Sequence, residues 1–156
     1  MMLIGFALAC LLSAIAISDW RHYRVPDRLT ALALALRGVD ILTSPPGGRV
    51  DELVQSAARG VVMAALFHGF RFAYRRLRGR EGMGLGDVKL AAVAGAWVDW
   101  PRLPIVVEIA ALIGVAVALL RAARGKERLH AAARLPFAVG FAVAIFVGWQ
   151  MPRLNL

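Results

Sequence analysis

The sequence predicts an all-α fold, a polytopic membrane bundle of about six transmembrane helices. Of the 156 residues, 60% are apolar and 19% are charged, a balance typical of proteins that cross a bilayer several times. The apolar residues fall into six runs separated by polar or turn-forming stretches. Because one crossing takes about 20 residues, we expect one membrane-embedded domain over residues 1–156.

The predicted helices follow the apolar runs, which cover residues 2–18, 29–43, 52–74, 88–98, 103–120 and 135–151. The first run lacks a preceding basic segment and a small-residue cleavage site, so we interpret it as a retained helix and not as a signal peptide. The fourth run is short, because at about 1.5 Å per residue it covers roughly 17 Å of a hydrocarbon core about 30 Å thick. This segment therefore either continues from Gly86 to Trp100 or is re-entrant.

Each run ends where the sequence becomes polar or favours a turn. Val25-Pro26 within DWRHYRVPDR gives an extended step after the first helix, and SPPGGRVDE supplies turn residues after the second. RRLRGREGMGLGD separates the third and fourth helices, DWPR the fourth and fifth, and RAARGKERLHAAAR the last two. The separators thus support six helices joined by short loops.

The basic residues predict the orientation in the membrane, because Lys and Arg concentrate in cytoplasmic loops. The formal net charge is +9. The first, third and fifth separators with their flanks hold thirteen of the basic residues, namely Arg21, Arg24, Arg28, Arg71, Arg75, Arg76, Arg78, Arg80, Arg121, Arg124, Lys126, Arg128 and Arg134. The second and fourth separators and the C-terminal tail hold only Arg49, Arg102 and Arg153. We expect both termini outside and a lipid bilayer, not nucleic acid, as the partner of these charges.

Two aspartates fall at the same predicted membrane boundary. Asp19 follows the first apolar run and Asp87 opens the fourth. Two carboxyls brought together share a proton, because neighbouring like charges cannot both ionise. Such a pair can activate water for attack on a peptide bond. Taken singly, Asp19 can instead be a polar helix terminator and Asp87 a helix cap, and both interpretations stay open.

The stretch GMGLGDVKL at 82–90 surrounds the second aspartate with glycines. Gly82, Gly84 and Gly86 permit positive φ and the close approach of another backbone, which a site for an extended peptide needs and a plain cap does not. Lys89 either lowers the pKa of a nearby carboxylate or extends to the lipid headgroups.

Other residues predict structural roles. Arg37 and Asp40 lie three apart on the second helix and are expected to pair in the bundle. Cys10 is expected to be a buried small hydrophobe. The tryptophans lie near predicted helix ends, as interfacial anchors do; they are Trp20, Trp97, Trp100 and Trp149. The three histidines have no metal-ligand spacing such as HExxH, so we expect no metal or other cofactor.

Three segments together resemble a known family. GMGLGDVKLAAVAGAW at 82–97 is similar to the GxGD-containing signature of the type IV prepilin peptidases. Asp19 with the following RHYRVPDRLT resembles their first signature, an aspartate followed by basic residues and an Ile-Pro-Asn step. Leu135-Pro136-Phe137 is similar to the family's Pro-Phe element at the last helix. The resemblance covers nearly the whole chain.

The resemblance implies an aspartyl endopeptidase of the bacterial inner membrane that removes the cytoplasmic leader of prepilin-like proteins. It implies that Asp19 and Asp87 are the catalytic pair. Gly84 and Gly86 would then shape the substrate-binding loop beside Asp87, and Lys89 belongs to the same motif. No metal or cofactor is implied, and no oligomeric state follows.

The departures from the family pattern refine this expectation. The chain carries neither the N-terminal methyltransferase region nor the cysteine-rich loop of larger members, so it resembles the short, peptidase-only type of tight-adherence (Flp) pilus systems. Asp27 stands where the family usually has Asn. The alternative is a non-enzymatic scaffold subunit of a pilus or secretion assembly, which should tolerate Asn at Asp19 or Asp87.

Overall fold

The computed structural model describes residues 2–22, 24–79, 83–123 and 137–151. Within these ranges the chain forms six α-helices and no strand: α1 (Met2–His22), α2 (Asp27–Thr43), α3 (Arg49–Arg78), α4 (Leu85–Trp97), α5 (Leu103–Ala123) and α6 (Phe137–Gln150). A 3₁₀ turn, Trp100–Arg102, precedes α5. The all-α prediction and all six helical segments are confirmed. Gly82, Leu135 and Pro136 lie outside the described residues.

The loop between α1 and α2 has the extended step that its proline predicts. Pro26 has φ −67° and ψ 131°, and its carbonyl accepts hydrogen bonds from the backbone N–H groups of Leu29 and Thr30. The Thr30 hydroxyl donates to the Asp27 carbonyl at 2.9 Å. These bonds start α2 immediately after the proline.

Among the residues that the structure describes, three helical segments are long and apolar enough to cross a membrane: Met2–His22, Arg49–Arg78 and Trp100–Leu120. Helix α6 is apolar but shorter. The 13 residues of α4 span only about 20 Å at 1.5 Å per residue, so α4 cannot cross a core about 30 Å thick by itself. The chain is thus a multi-pass membrane protein in which the fourth helix is short.

Helix α4 lies at the centre of the bundle, packed against α2, α3, α5 and α6. Its side chains are buried almost continuously from Leu90 to Trp97. The crossing of α3 and α4 is close, because a Cβ added at Gly60 would lie 3.1 Å from the Ala92 carbonyl oxygen. An added Cβ at Gly95 would meet the backbone of Arg59. Small residues at this crossing allow the two backbones to touch, as is common between membrane helices.

The structure corrects two expectations. Trp97 and Trp149 are buried and pack edge to face with their rings 6.0 Å apart, so they are core residues and not interfacial anchors. Trp97 is inside because α4 ends within the bundle, and its indole N–H donates to the Ala33 carbonyl at 3.0 Å. Cys10 is exposed on the outside of α1, because it lies on the helix face opposite the buried Leu8, Leu12 and Ile15.

Candidate active site

Asp19 lies in the last turn of α1 and points into the bundle. Its side chain is buried, with the residue only 8% exposed. One carboxylate oxygen accepts a hydrogen bond from the backbone N–H of Ala138 at 3.2 Å, in the first turn of α6. The amino end of a helix offers free N–H groups and a positive dipole. Asp19 is therefore more than a polar terminator of α1, because it joins α1 to α6.

Asp87 occupies the first turn of α4 and is half-buried. One of its carboxylate oxygens accepts a hydrogen bond from the backbone N–H of Gly84, the residue before the helix, at 3.1 Å. The helix-cap interpretation of Asp87 is thus confirmed as geometry. This hydrogen bond uses one of the two carboxylate oxygens.

The environment of Asp87 favours its protonated form. Asp87 lies at the amino end of α4, outside the three helices that are able to cross a membrane. Burial raises the pKa of Asp87 to about 6, and the Asp19 charge adds to the increase, while the Gly84 hydrogen bond acts in the opposite direction. Asp19 therefore lies near enough to Asp87 for the two carboxyls to interact electrostatically.

The two glycines beside Asp87 act in different ways. A Cβ added at Gly86 would lie 2.7 Å from a methyl carbon of Val25, so it is a side chain, and not the expected second backbone, that packs closely against Gly86. Gly84 has φ −73° and ψ 155°, so it does not use the positive φ that glycine permits. Its contribution is the N–H group that it donates to Asp87.

Lys89 pairs with a carboxylate, but the partner is Asp27. The Lys89 ammonium group donates to an oxygen of Asp27 at the start of α2. This ion pair and the Val25–Gly86 contact both connect the segment after Asp19 to the segment around Asp87. Residues from the two predicted motifs therefore meet at one end of the bundle.

A second polar cluster, which the sequence revealed only in part, lies at the other end of α4. The predicted Arg37–Asp40 pair is present, with nitrogen and oxygen 2.5 Å apart. Arg37 also pairs with Glu52 at 2.6 Å, and Ser56 and Arg59 on α3 join the same region. The only sequence signal for these additional residues was polar side chains inside largely apolar helices.

The long apolar helices define a multi-pass membrane protein. The two interacting carboxyls at one end of the bundle form a candidate acid–base site. The chain belongs to the type IV leader peptidase family, whose model matches residues 6–119. The resemblance to prepilin peptidases is thereby confirmed, and so, at the level of the family, is the expectation of a peptidase.

Curated relatives agree with this family. The chain is 37% identical over 146 residues to the leader peptidase HopD of Escherichia coli, covering 91% of this chain and 89% of the relative. It is 37% identical over 151 residues to a prepilin leader peptidase/N-methyltransferase of Burkholderia pseudomallei (strain K96243), covering 94% of this chain. A protein of the same name from Aeromonas hydrophila is 33% identical over 154 residues.

The lengths of these relatives differ. The chain spans about half of the length of the prepilin leader peptidase/N-methyltransferases, 47% and 48% in the two cases above. It spans most of HopD. No solved structure matches this chain.

Proposed function

We propose that this protein is a membrane aspartyl endopeptidase that cleaves the leader of prepilin-like proteins of the Flp type. The site would face the cytoplasm at the bacterial inner membrane, and the termini would lie outside. The observation that supports this most strongly is the half-buried Asp87, with a pKa raised to about 6 by burial and by the charge of Asp19. A carboxyl whose pKa is raised toward neutral pH, beside a second carboxyl, is suited to general acid–base catalysis.

In the proposed mechanism the two carboxyls hold one proton between them and bind a water molecule. The ionised member accepts a proton as the water oxygen attacks the carbonyl carbon of the leader's last residue. The protonated member donates a hydrogen bond to the developing oxyanion and stabilises it. A proton is then delivered to the leaving nitrogen, the C–N bond breaks, and a carboxyl end and a free amine are produced.

The loop before α4 fits an extended substrate. Gly84 has extended backbone angles and no side chain, and the nearest atoms to an added Cβ there are those of Asp87 and Gly86. A peptide strand lying along this exposed loop would meet no side chain at Gly84 and would come near the Asp87 carboxyl. Gly84, Gly86 and Lys89 are therefore proposed to shape the substrate-binding side of the site.

The Flp-type substrate is proposed from the similarity to leader peptidases. The relative that this chain covers almost fully is named a leader peptidase, whereas relatives of about twice its length are named for both leader peptidase and N-methyltransferase. The proposal concerns the peptidase step alone.

The decisive experiment measures cleavage of a Flp-type prepilin by the full-length protein in liposomes. Wild type is compared with Asp19→Asn and Asp87→Asn, and folding is checked by thermal unfolding. Asp51→Asn is the matched control, because Asp51 is an exposed aspartate in the first turn of α3. Loss of cleavage in both site variants with an active control is expected, and activity in either folded site variant would refute the two-aspartate mechanism.

One observation favours a non-enzymatic scaffold as the second candidate. Asp87 caps α4 through Gly84, which an aspartate in a purely structural protein also does. Asparagine has an oxygen that can accept the same hydrogen bond. If wild type cleaves no prepilin leader and Asp87→Asn supports pilus assembly in cells, the scaffold is the correct assignment.

A further inference from the structure

Helix α4 ends inside the protein, where its last carbonyl groups need partners. The final carbonyls of any α-helix have no N–H partner within the helix, and leaving such a group buried and unpaired is costly. The Val98 N–H donates a hydrogen bond to the Ala94 carbonyl. The next two carbonyls along the helix, those of Gly95 and Ala96, lie beside buried side chains of other helices.

Three buried side chains from two other helices satisfy these carbonyls. Ser56 donates to the Ala96 oxygen at 2.8 Å, and the Arg37 Nε donates to the same oxygen at 3.1 Å. The Arg59 Nε donates to the Gly95 oxygen at 3.1 Å. The donors Arg37, Ser56 and Arg59 are only 8%, 4% and 5% exposed. We call these three residues the α4 anchor.

The anchor arginines are themselves held in place by acidic and aromatic groups. Arg37 pairs with Asp40 and Glu52 and lies 5.6 Å from the centre of the Trp97 ring. Arg59 has Asp99 at 3.7 Å. Buried arginines are tolerated when they are paired with carboxylates, and positive charge is favourable at the carboxyl end of a helix. Among the described residues the Nη2 atom of Arg59 has no hydrogen-bond partner, so its ion pair with Asp99 is the weaker of these contacts.

We infer that Arg37, Ser56 and Arg59 are positioning residues, which fix the carboxyl end of α4 and thereby set the place of Asp87 at its amino end. This inference rests on the proposed function. Asp87 and Ala96 are separated by about 14 Å along one uninterrupted helix. Because a short helix moves as a unit, a shift or rotation at Ala96 displaces the Asp87 carboxyl relative to Asp19.

The packing of α3 against α4 does not by itself fix the position of α4. Gly60 and Gly95 fix how closely the two helices approach, but a smooth contact of small residues permits sliding and rotation. Hydrogen bonds to individual carbonyls have directional geometry, so they fix both the position of α4 along its axis and its rotation about that axis. Acid–base catalysis depends on such placement, since a misplacement of 1 Å can cost about a hundredfold in rate.

The test uses the full-length protein in liposomes and a Flp-type prepilin as the probe. The variants are Arg37→Gln, Arg59→Gln and Ser56→Ala, with Arg37→Lys as the conservative variant. Arg49→Gln is the matched control, because the Arg49 guanidinium also binds a carbonyl near a helix end, that of Ser44 at 2.7 Å, but makes no bond to α4. Each variant is measured for kcat, KM, the pH profile of kcat/KM and thermal unfolding.

We expect Arg37→Gln and Arg59→Gln to lower kcat by about tenfold or more, with KM changed by less than about twofold. Ser56→Ala should lower kcat by about threefold, and Arg37→Lys should recover part of the loss. The pH profile should shift in the anchor variants, because the separation of the two carboxyls changes. Arg49→Gln should keep the wild-type kcat and profile.

Two results would overturn the inference and leave the proposed function intact. One is a wild-type kcat and pH profile per folded molecule in the anchor variants, with only thermal stability reduced, since the anchor would then be merely structural. The other is an equal loss of kcat in Arg49→Gln. If the arginine variants do not fold, Ser56→Ala decides the question, because it removes one oxygen atom. Absence of cleavage by wild type would instead refute the proposed function.

Discussion

The side chain of Val25 lies directly against the Cα of Gly86, so that a Cβ at Gly86 would be 2.7 Å from a Val25 methyl carbon. Val25 follows α1, which carries Asp19, and Gly86 immediately precedes Asp87. This contact therefore sets how closely the two halves of the candidate site approach. Glycine is needed here for space and not for an unusual backbone conformation.

We predict that Gly86→Ala lowers prepilin cleavage by at least about tenfold, because the added methyl group pushes the Val25 loop away from α4. The double variant Val25→Ala with Gly86→Ala removes the 2.7 Å contact and leaves only the Cβ of residue 25, at 3.2 Å, so it should recover much of the activity. The measurement is cleavage rate in liposomes. A double variant as inactive as Gly86→Ala would contradict the steric explanation.

Gly69→Ala is the matched control for this substitution. Gly69 lies within α3 with no atom within 4 Å of an added Cβ. Alanine has the higher helix propensity by about 1 kcal/mol, so Gly69→Ala should leave cleavage unchanged and should not reduce thermal stability.

The fold was predictable because the apolar runs are long and the separators are strongly polar. All six helices were located, and the length of the apolar run at 88–98 was enough to predict that α4 is short. The sequence could not show that α4 ends within the bundle, so Trp97 was assigned to the interface although it is buried in the core. Which end of a helix reaches the lipid headgroups depends on tertiary packing.

The site was predictable only where a signal was local. The Arg37–Asp40 pair follows from a spacing of three on one helix. The hydrogen bond from Ala138 to Asp19 joins residues 119 apart, and no pattern in one sequence indicates it. Ser56 and Arg59 were missed for the same reason, because their role depends on which face of α3 meets α4.

The second prediction concerns pH. Burial raises the folded-state pKa of Asp87 to about 6 from an ordinary value of 3.8. Between these values the folded protein binds more protons at this site than the unfolded chain, so its stability falls as pH rises from about 4 to 6. Asp87→Asn cannot titrate and should lose this part of the pH dependence. Thermal unfolding across pH 4 to 7 measures it, and identical slopes in wild type and Asp87→Asn would contradict the prediction.

The third prediction concerns the hydrogen bond between Trp97 and Ala33. The indole N–H donates to a buried carbonyl of α2 at 3.0 Å. Trp97→Phe keeps an aromatic ring and removes this hydrogen bond, while the Ala33 carbonyl keeps its bond within α2, so we expect a loss of about 0.5–1.5 kcal/mol in stability. The comparison is Trp100→Phe, because Trp100 is exposed and donates to the side chain of Gln55. Equal destabilisation by both substitutions would argue against a special role for the buried bond.

The last prediction separates two roles of Lys89, pairing with Asp27 and direct contact with substrate. The pair is partly solvent-exposed, and exposed ion pairs contribute little to stability, so Asp27→Asn should change cleavage by less than about threefold. If Lys89 acts through Asp27, Lys89→Gln should have the same small effect, and adding Asp27→Asn to it should cause no further loss. If Lys89 contacts the substrate, Lys89→Gln should raise KM by itself while Asp27→Asn leaves KM unchanged. We expect the second pattern, because Lys89 also belongs to the motif that contains Asp87, and equal KM values for wild type and Lys89→Gln would contradict it.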